Sequence, residues 1–227
     1  MGNPFIQSYL LSDWFGKGIF LALYALSALT WIVIAEKGIL LWQVRKVSRS
    51  FAGLFEDIKE DPLSVQLARA KSPQWLSFPD PFFEVYKALK GNVLMLLQRG
   101  PALSPADLEL VQKEMASQGA IYLRKMNKRL FILSTSVALA PFLGLLGTVW
   151  GILITFSDLS GGAVAAGNTA MLSGLSMALA TTVLGLLIAI PAQVGVNWIR
   201  NAQREYRGEL DHFSQRLLTA IELKYRQ

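Results

Sequence analysis

The sequence has no cysteine, a single histidine and few charged residues, and each shortage excludes a class of function. Without cysteine there is no disulfide, no thiolate metal ligand and no cysteine nucleophile. The one histidine, His212, argues against metal catalysis, so we predict no metal site and no cofactor. A phosphate-binding loop, a G-x-S-x-G elbow and an H-E-x-x-H helix are also lacking. We therefore predict that the protein is not an enzyme.

Charged residues make up 17% of the 227 residues and apolar residues 52%, whereas soluble domains have about 25% charged residues. Three stretches have no charged side chain at all: Gly18 to Ala35, Leu130 to Phe156, and Leu159 to Ile199. A helix of about 20 apolar residues crosses a bilayer. The sequence therefore predicts an all-α integral membrane protein with three transmembrane helices. We interpret the first as a retained helix and not a cleaved signal peptide, because no small-residue cleavage site follows it.

Basic residues cluster at one end of each apolar stretch, and this asymmetry predicts the topology. They follow the first stretch, precede the second and follow the third, whereas the opposite ends have only Lys17. Because loops rich in lysine and arginine stay in the cytoplasm, we predict a periplasmic amino terminus and a cytoplasmic carboxyl terminus. The clustered residues are Arg45, Lys46, Arg49, Arg124, Lys125, Lys128, Arg129, Arg200, Arg204 and Arg207. They do not form a basic run with interleaved aromatics, so the net charge of +6 predicts no nucleic-acid partner.

These boundaries divide the chain into seven predicted segments. Residues 1–16 form a periplasmic amino terminus, 17–41 the first transmembrane helix, and 42–129 a cytoplasmic helical loop. Residues 130–156 form the second transmembrane helix and 157–168 a periplasmic loop. Residues 169–199 form the third transmembrane helix and 200–227 a cytoplasmic carboxyl-terminal helix. Membrane lipid is therefore a predicted partner of all three spans.

Prolines divide the predicted cytoplasmic loop into helical pieces. They are Pro62, Pro73, Pro79, Pro81, Pro101 and Pro105. Ser104, followed by Pro105 and Asp107, predicts a helix start with an N-cap and an acidic first turn. We expect that helix to continue through Arg129 into the second span, about 50 residues at 1.5 Å each. A similar helix is expected to continue the third span toward Glu222, so both spans have long cytoplasmic extensions.

Small and hydroxyl-bearing residues form one stripe on each of the last two spans. Such stripes allow two roles, close helix packing or the lining of a cavity. The remaining faces, for example Leu145 and Val149, or Leu179 and Val183, already suit lipid or packing. We therefore favour threonines that face a central cavity. The stripe residues are Gly144, Thr148, Gly151 and Thr155 in the second span and Gly174, Ala178, Thr182, Gly185 and Ala189 in the third, with Thr181 beside the latter stripe.

The second and third spans contain no titratable side chain. Because proton transfer through hydrocarbon needs titratable groups or water, these two helices cannot form a complete relay. A proton channel built on them needs a carboxylate from another subunit. Glu36 is the only acid that we assign near a span, and beside Lys37 at the cytoplasmic boundary we interpret it as part of an interfacial ion pair.

Two runs carry a resemblance to a known family. The run from Pro141 to Ile152, PFLGLLGTVWGI, and the run from Gly174 to Ala192, ending in Ile-Pro-Ala, resemble the second-helix and third-helix signatures of the MotA/TolQ/ExbB proton channel family. Three spans resemble its TolQ and ExbB branch, since MotA members have four. The resemblance implies a pentameric ring around the single-span helices of a TolR- or ExbD-type partner, which supplies an intramembrane aspartate. It also implies that Thr148 and Thr182 are the ion-pathway residues.

The resemblance implies a proton-channel or stator subunit in the bacterial inner membrane, coupling proton motive force to outer-membrane transport or envelope maintenance. Many family members have a glutamate where this chain has Met177, so a relay role for that position is not available here. The alternative function is a scaffold that assembles partner transmembrane helices without conducting. Gly144, Gly151, Thr155, Gly174, Ala178, Thr181 and Gly185 are predicted to line the pore or to pack the helices.

Overall fold

The computed structural model describes residues 4–53, 55, 63, 80–160 and 167–226, and these ranges are helical apart from short turns. The described helices are α1 (Pro4–Leu11), α2 (Trp14–Gly53), α3 (Pro81–Leu97), α4 (Pro105–Met126), α5 (Leu130–Ser160) and α6 (Gly167–Tyr225). Helices α2, α5 and α6 are long and apolar enough to cross a membrane. The predicted all-α fold with three spans is confirmed.

The chain divides into two compact units, each built from segments distant in sequence. The first comprises residues 1–36 and 129–198, and the second comprises residues 37–128 and 199–227. Helices α2 and α6 each contribute one part to the first unit and one part to the second.

The first unit contains the apolar parts of the three long helices. Its buried core combines aromatic and aliphatic side chains of α2 with small residues of α5 and α6, including Phe20, Ala140 and Ala189. Helix α1, which the sequence did not predict, packs on this unit through Ser8, whose hydroxyl lies 3.0 Å from the Ser176 hydroxyl of α6. Its apolar side chains Ile6 and Leu10 are exposed.

The second unit packs α3 and α4 with the carboxyl-terminal parts of α2 and α6. The predicted helix start at Ser104 is confirmed, because Ser104 and Asp107 form a reciprocal capping box and Pro105 occupies the first turn. Pro81 likewise begins α3, where Asp80 is the N-cap residue. The Leu103 backbone N–H donates to the Tyr225 carbonyl at 2.7 Å, which fixes the end of α6.

A buried polar network lies inside the second unit. The Ser48 hydroxyl of α2 donates to the Asp80 carboxylate at 2.6 Å and lies 2.8 Å from the Tyr206 hydroxyl of α6. The Phe82 backbone N–H also donates to Asp80, at 3.2 Å. Burial raises the pKa of Asp80 to about 6, against the lowering effect of the Ser48 and Phe82 hydrogen bonds. One titratable carboxyl group therefore connects three helices of this unit.

The long helix predicted from Ser104 into the second span is wrong at one point. Helix α4 ends at Met126, Asn127 caps it, and α5 begins only at Leu130. Between them Arg129 has a φ of 70°, in the left-handed region that a helix cannot contain. The buried Lys37 amine donates to the Met126 carbonyl at 3.1 Å, which replaces a continuing helical hydrogen bond.

The predicted continuation of the third span is confirmed, because α6 runs unbroken from Gly167 to Tyr225. Pro81, Pro101 and Pro105 lie at or between helix ends, as predicted for the prolines of the cytoplasmic loop. Pro62, Pro73 and Pro79 lie outside the described residues, as does half of the predicted periplasmic loop, residues 161–166.

Candidate functional site

Small residues bring α5 and α6 into close backbone contact. A methyl group added at Gly151 would lie 2.5 Å from the Gly174 carbonyl, and one added at Gly185 would lie 2.6 Å from the Ala140 carbonyl. Added at Gly144, it would lie 3.0 Å from the Thr181 carbonyl. Only the missing side chains allow this approach, as in other closely packed membrane helices.

The residues that were predicted either to line the pore or to pack the helices lie in this contact between α5 and α6. Gly144, Gly151, Thr155, Gly174, Ala178, Thr181 and Gly185 are all buried. The Thr155 hydroxyl donates to the Gly151 carbonyl at 2.8 Å, and the Thr181 hydroxyl lies 3.0 Å from both the Met177 and Ala178 carbonyls. Within this chain their contacts are those of helix packing. A part in ion passage stays a prediction for these residues.

Thr148 and Thr182 are placed differently, because both are partly exposed. The Thr148 hydroxyl donates to the Leu145 carbonyl of its own helix at 2.7 Å. The Thr182 hydroxyl donates across the helix pair to the Gly144 carbonyl at 3.1 Å. A hydroxyl has one donor and two acceptor lone pairs, so in this arrangement both can accept a further hydrogen bond. They are the accessible hydroxyls of the two stripes.

The remaining faces of α5 and α6 are apolar and exposed, as the sequence predicted. Leu145 and Val149 on α5, like Leu179 and Leu187 on α6, expose about half of their surface or more. Such contiguous apolar surface on a membrane helix suits lipid or the helices of another chain.

Met177 lies in the interior of the first unit and is 2% exposed. It belongs to the core cluster with Ile19 and Phe20, and a methyl group added at Gly16 of α2 would overlap its side chain. The Met177 side chain is therefore closed to solvent by α2 in this chain.

The prediction that Glu36 is the only acid near a span is wrong, because Asp13 lies directly before α2 and Asp158 lies near the end of α5. The Asp13 carboxylate accepts hydrogen bonds from the Phe15 and Gly16 backbone N–H groups at 3.3 and 3.0 Å. It also accepts from the Trp150 indole N–H of α5, at 3.1 Å. The sequence signal was an Asp before a helical stretch, which is a common N-cap.

Glu36 forms an ion pair, but with Arg129 and not with its neighbour Lys37. The Arg129 guanidinium donates to both carboxylate oxygens at 3.0 and 3.1 Å. Lys37 points elsewhere and is 3% exposed. Adjacent residues of a helix point about 100° apart, so they do not face each other.

We expect Glu36→Gln to change the free energy of unfolding by about 1 kcal/mol or less. The ion pair is 60% exposed at Arg129 and 38% at Glu36, and exposed ion pairs contribute about 1 kcal/mol or less. Thermal unfolding of the purified protein measures the effect. A much larger loss of stability would contradict an exposed ion pair.

The glycine contact predicts a second effect. Gly151→Ala should destabilise the α5–α6 packing by about 1–3 kcal/mol, because its methyl group meets a backbone carbonyl that cannot move aside. Gly18→Ala in α2 is the matched control, since nothing lies within 4 Å of its added methyl group. Thermal unfolding in detergent compares the two variants. Equal melting temperatures would show that the close contact does not form.

Chemistry at this site is limited to hydrogen bonding by hydroxyl and carbonyl groups. Among the residues that the structure describes, no three His, Asp or Glu side chains are grouped so that they could hold a metal ion. Residues 130–156 of α5 and 169–199 of α6 contribute polar but uncharged groups.

Three long apolar helices define a multi-pass membrane protein. The model of the MotA/TolQ/ExbB proton channel family matches residues 85–212, more than half of the chain, and the chain belongs to this family, on its TolQ and ExbB branch. This is a family of transport and channel-type membrane proteins and not a known enzyme family.

The relatives differ in how much of each chain they match. Biopolymer transport protein ExbB of Aquifex aeolicus is 40% identical over 82 residues, which cover 36% of this chain and 55% of the relative. Tol-Pal system protein TolQ of Haemophilus influenzae is 26% identical over 215 residues, 92% of each chain. Biopolymer transport protein ExbB of Neisseria gonorrhoeae is 24% identical over 194 residues, 86% of each. The chain thus spans about half the length of the Aquifex relative.

Proposed function

We propose that this protein is the ring-forming channel subunit of an inner-membrane complex that couples proton motive force to outer-membrane transport or envelope maintenance. The observation that carries the proposal is the pair of accessible hydroxyls, Thr148 and Thr182, on two spans, residues 130–156 and 169–199, without titratable groups. The family membership and the names of the ExbB and TolQ relatives support it.

The proton carrier in this proposal is a carboxylate from a second protein. A single-span partner of the TolR or ExbD type brings an intramembrane aspartate beside the exposed side of α5 and α6. Five copies of this chain surround the partner helices, with the amino terminus in the periplasm and the carboxyl terminus in the cytoplasm. The exposed apolar faces near Leu145 and Leu179 supply the surface for lipid and for these neighbours.

The hydrogen bonds of Thr182 suggest how the site distinguishes the two states of that aspartate. Because the Thr182 O–H is engaged with the Gly144 carbonyl, the oxygen offers only acceptor lone pairs. A protonated carboxyl group has an O–H to donate, whereas an ionised carboxylate has none. The threonine therefore stabilises the neutral acid inside the membrane and releases it once the proton leaves.

Proton uptake into vesicles tests the proposal. Vesicles holding this chain with its single-span partner should take up protons under an imposed gradient. The matched control holds the same pair with the partner aspartate replaced by asparagine, and uptake should fall to the background of empty vesicles. Equal uptake by both preparations would contradict a carboxylate carrier.

A non-conducting scaffold is the second candidate, and the packing of the small residues of α5 and α6 within this chain favours it. A scaffold binds the same partner but shows no uptake at any imposed gradient. Co-purification of the partner together with absent uptake would therefore select the scaffold over the channel.

A further inference from the structure

Asp13 joins the start of α2 to α5 by hydrogen bonds that the family resemblance does not account for. Its carboxylate accepts the two backbone N–H groups that open α2, those of Phe15 and Gly16. Both carboxylate oxygens also lie within reach of the Trp150 indole N–H, at 3.1 and 3.3 Å. Two of these bonds cap a helix, whereas the third attaches a neighbouring helix.

Ring contacts hold the same two helices together. The Phe15 ring lies 4.3 Å from the Trp150 ring between centroids, at an angle of 47°. Next to it, Gly16 approaches α6 so closely that an added methyl group would overlap the Met177 side chain. The first turn of α2 therefore contacts both of the other long helices of the first unit.

Trp150 is two residues beyond Thr148 on α5. At about 100° per residue, the two side chains point about 200° apart, on opposite sides of the helix. A bond that holds Trp150 against α2 therefore turns Thr148 away from α2. The rotation of α5 about its own axis is fixed at one point by a hydrogen bond to a charged acceptor.

Resting on the proposed function, we infer that Asp13 is a positioning residue that holds the Trp150 indole and so orients Thr148 toward the ion path. It transfers no proton and touches no partner helix. Asp13 keeps the side of α5 that carries the Thr148 hydroxyl facing the ion path when the partner protein exerts force on α5. The small-residue contact with α6 sets the distance between the helices and the face that α5 turns toward α6, and the Asp13–Trp150 bond holds α5 in that rotation from the side of α2.

Three variants separate this role from helix capping. Asp13→Asn keeps an oxygen that can accept from both the backbone and the indole, and Asn is also a good N-cap. Asp13→Ser keeps the cap, but its oxygen is one bond nearer the backbone and does not reach the indole. Trp150→Phe keeps the ring and removes the N–H donor.

Thiol labelling reports the rotation of α5, and the absence of cysteine from the sequence makes a single reporter possible. Thr148→Cys and Val149→Cys are each introduced into the wild type and into the Asp13→Asn, Asp13→Ser and Trp150→Phe variants, and every chain is expressed with the partner in membranes. A small charged methanethiosulfonate reagent should react faster with the Thr148→Cys chain than with the Val149→Cys chain. Asp13→Ser and Trp150→Phe should each lower that ratio about tenfold, the factor that loss of a hydrogen bond to a charged group allows.

Asp13→Asn should keep the ratio of the two labelling rates within about twofold of the wild type, since the acceptor oxygen remains. An unchanged ratio in Asp13→Ser would overturn the inference, and so would a loss in Asp13→Asn equal to that in Asp13→Ser. The double variant Asp13→Ser, Trp150→Phe should be no worse than either single one. Labelling needs no proton flow, so failure of the channel proposal appears in vesicle uptake and failure of this inference appears in the ratio.

Discussion

Thr182→Val is expected to lower proton-coupled activity about twofold to tenfold, because a hydrogen bond between the threonine oxygen and a neutral carboxyl group contributes about 0.5–1.5 kcal/mol. Valine has nearly the shape of threonine, so the contact with Gly144 is retained while the hydroxyl is lost. The partner carboxyl group then has no acceptor at this point of its path. Vesicle uptake with the co-expressed partner measures the loss.

Two controls isolate the hydroxyl of Thr182. Thr182→Ser keeps the O–H and should retain most of the activity. Thr135→Val makes the same exchange at an exposed threonine near the start of α5 and should have no effect on uptake. Full uptake by Thr182→Val in a correctly assembled complex would remove this residue from the ion path. Thr148→Val should lower proton uptake in the same way as Thr182→Val, since both hydroxyls have free acceptor lone pairs.

The three spans could be predicted from the sequence because lipid imposes a simple requirement. An uncharged stretch of about 20 residues is rare in soluble helices and sufficient for a span. The capping box at Ser104 was also predictable, since capping depends on residues three positions apart. The unbroken α6 followed from the absence of any strong breaker after Pro191.

The break between α4 and α5 could not be predicted in the same way. Residues 127–129 have ordinary helix propensity, and the interruption depends on the Lys37 amine, which comes from a helix about 90 residues earlier. The partner of Glu36 was missed for a related reason. A neighbour in sequence was assigned, whereas Arg129 lies next to Glu36 only in the folded chain.

The candidate site shows where helical periodicity stops being informative. Spacing of three and four residues predicts one stripe of Gly144, Thr148, Gly151 and Thr155, of which Thr148 is partly exposed and the other three are buried. Periodicity does not state what covers that face, and α6 of the same chain covers it. Adjacent Thr181 and Thr182 differ for the same reason, because only the packing of α5 decides that the first is buried and the second partly exposed.

Acidification is expected to stabilise the second unit through Asp80, which is opposite to the usual effect of a carboxylate. Burial raises the pKa of Asp80 to about 6 from an ordinary 3.8, so the folded chain binds this proton more tightly than the unfolded chain. Stability from this group is greatest below the ordinary pKa and is lost as the pH rises through about 6. Between pH 8 and pH 5 the gain is about 1.4 kcal/mol, or roughly 3–6 °C in melting temperature.

Asp80→Asn removes the titration and should remove this gain, because asparagine keeps the N-cap oxygen and an acceptor for Ser48. The wild type and the variant are compared by thermal unfolding of the purified protein at each pH, so that other titrating groups cancel in the difference. Asp107→Asn is the matched control, since its hydrogen bonds with Ser104 lower the pKa of that exposed carboxyl group. The stability that Asp107 contributes is lost as the pH falls, so acidification affects the stability contributed by this residue in the opposite direction to that of Asp80. A pH response of Asp80→Asn equal to that of the wild type would show that the buried Asp80 carboxyl does not titrate in this range.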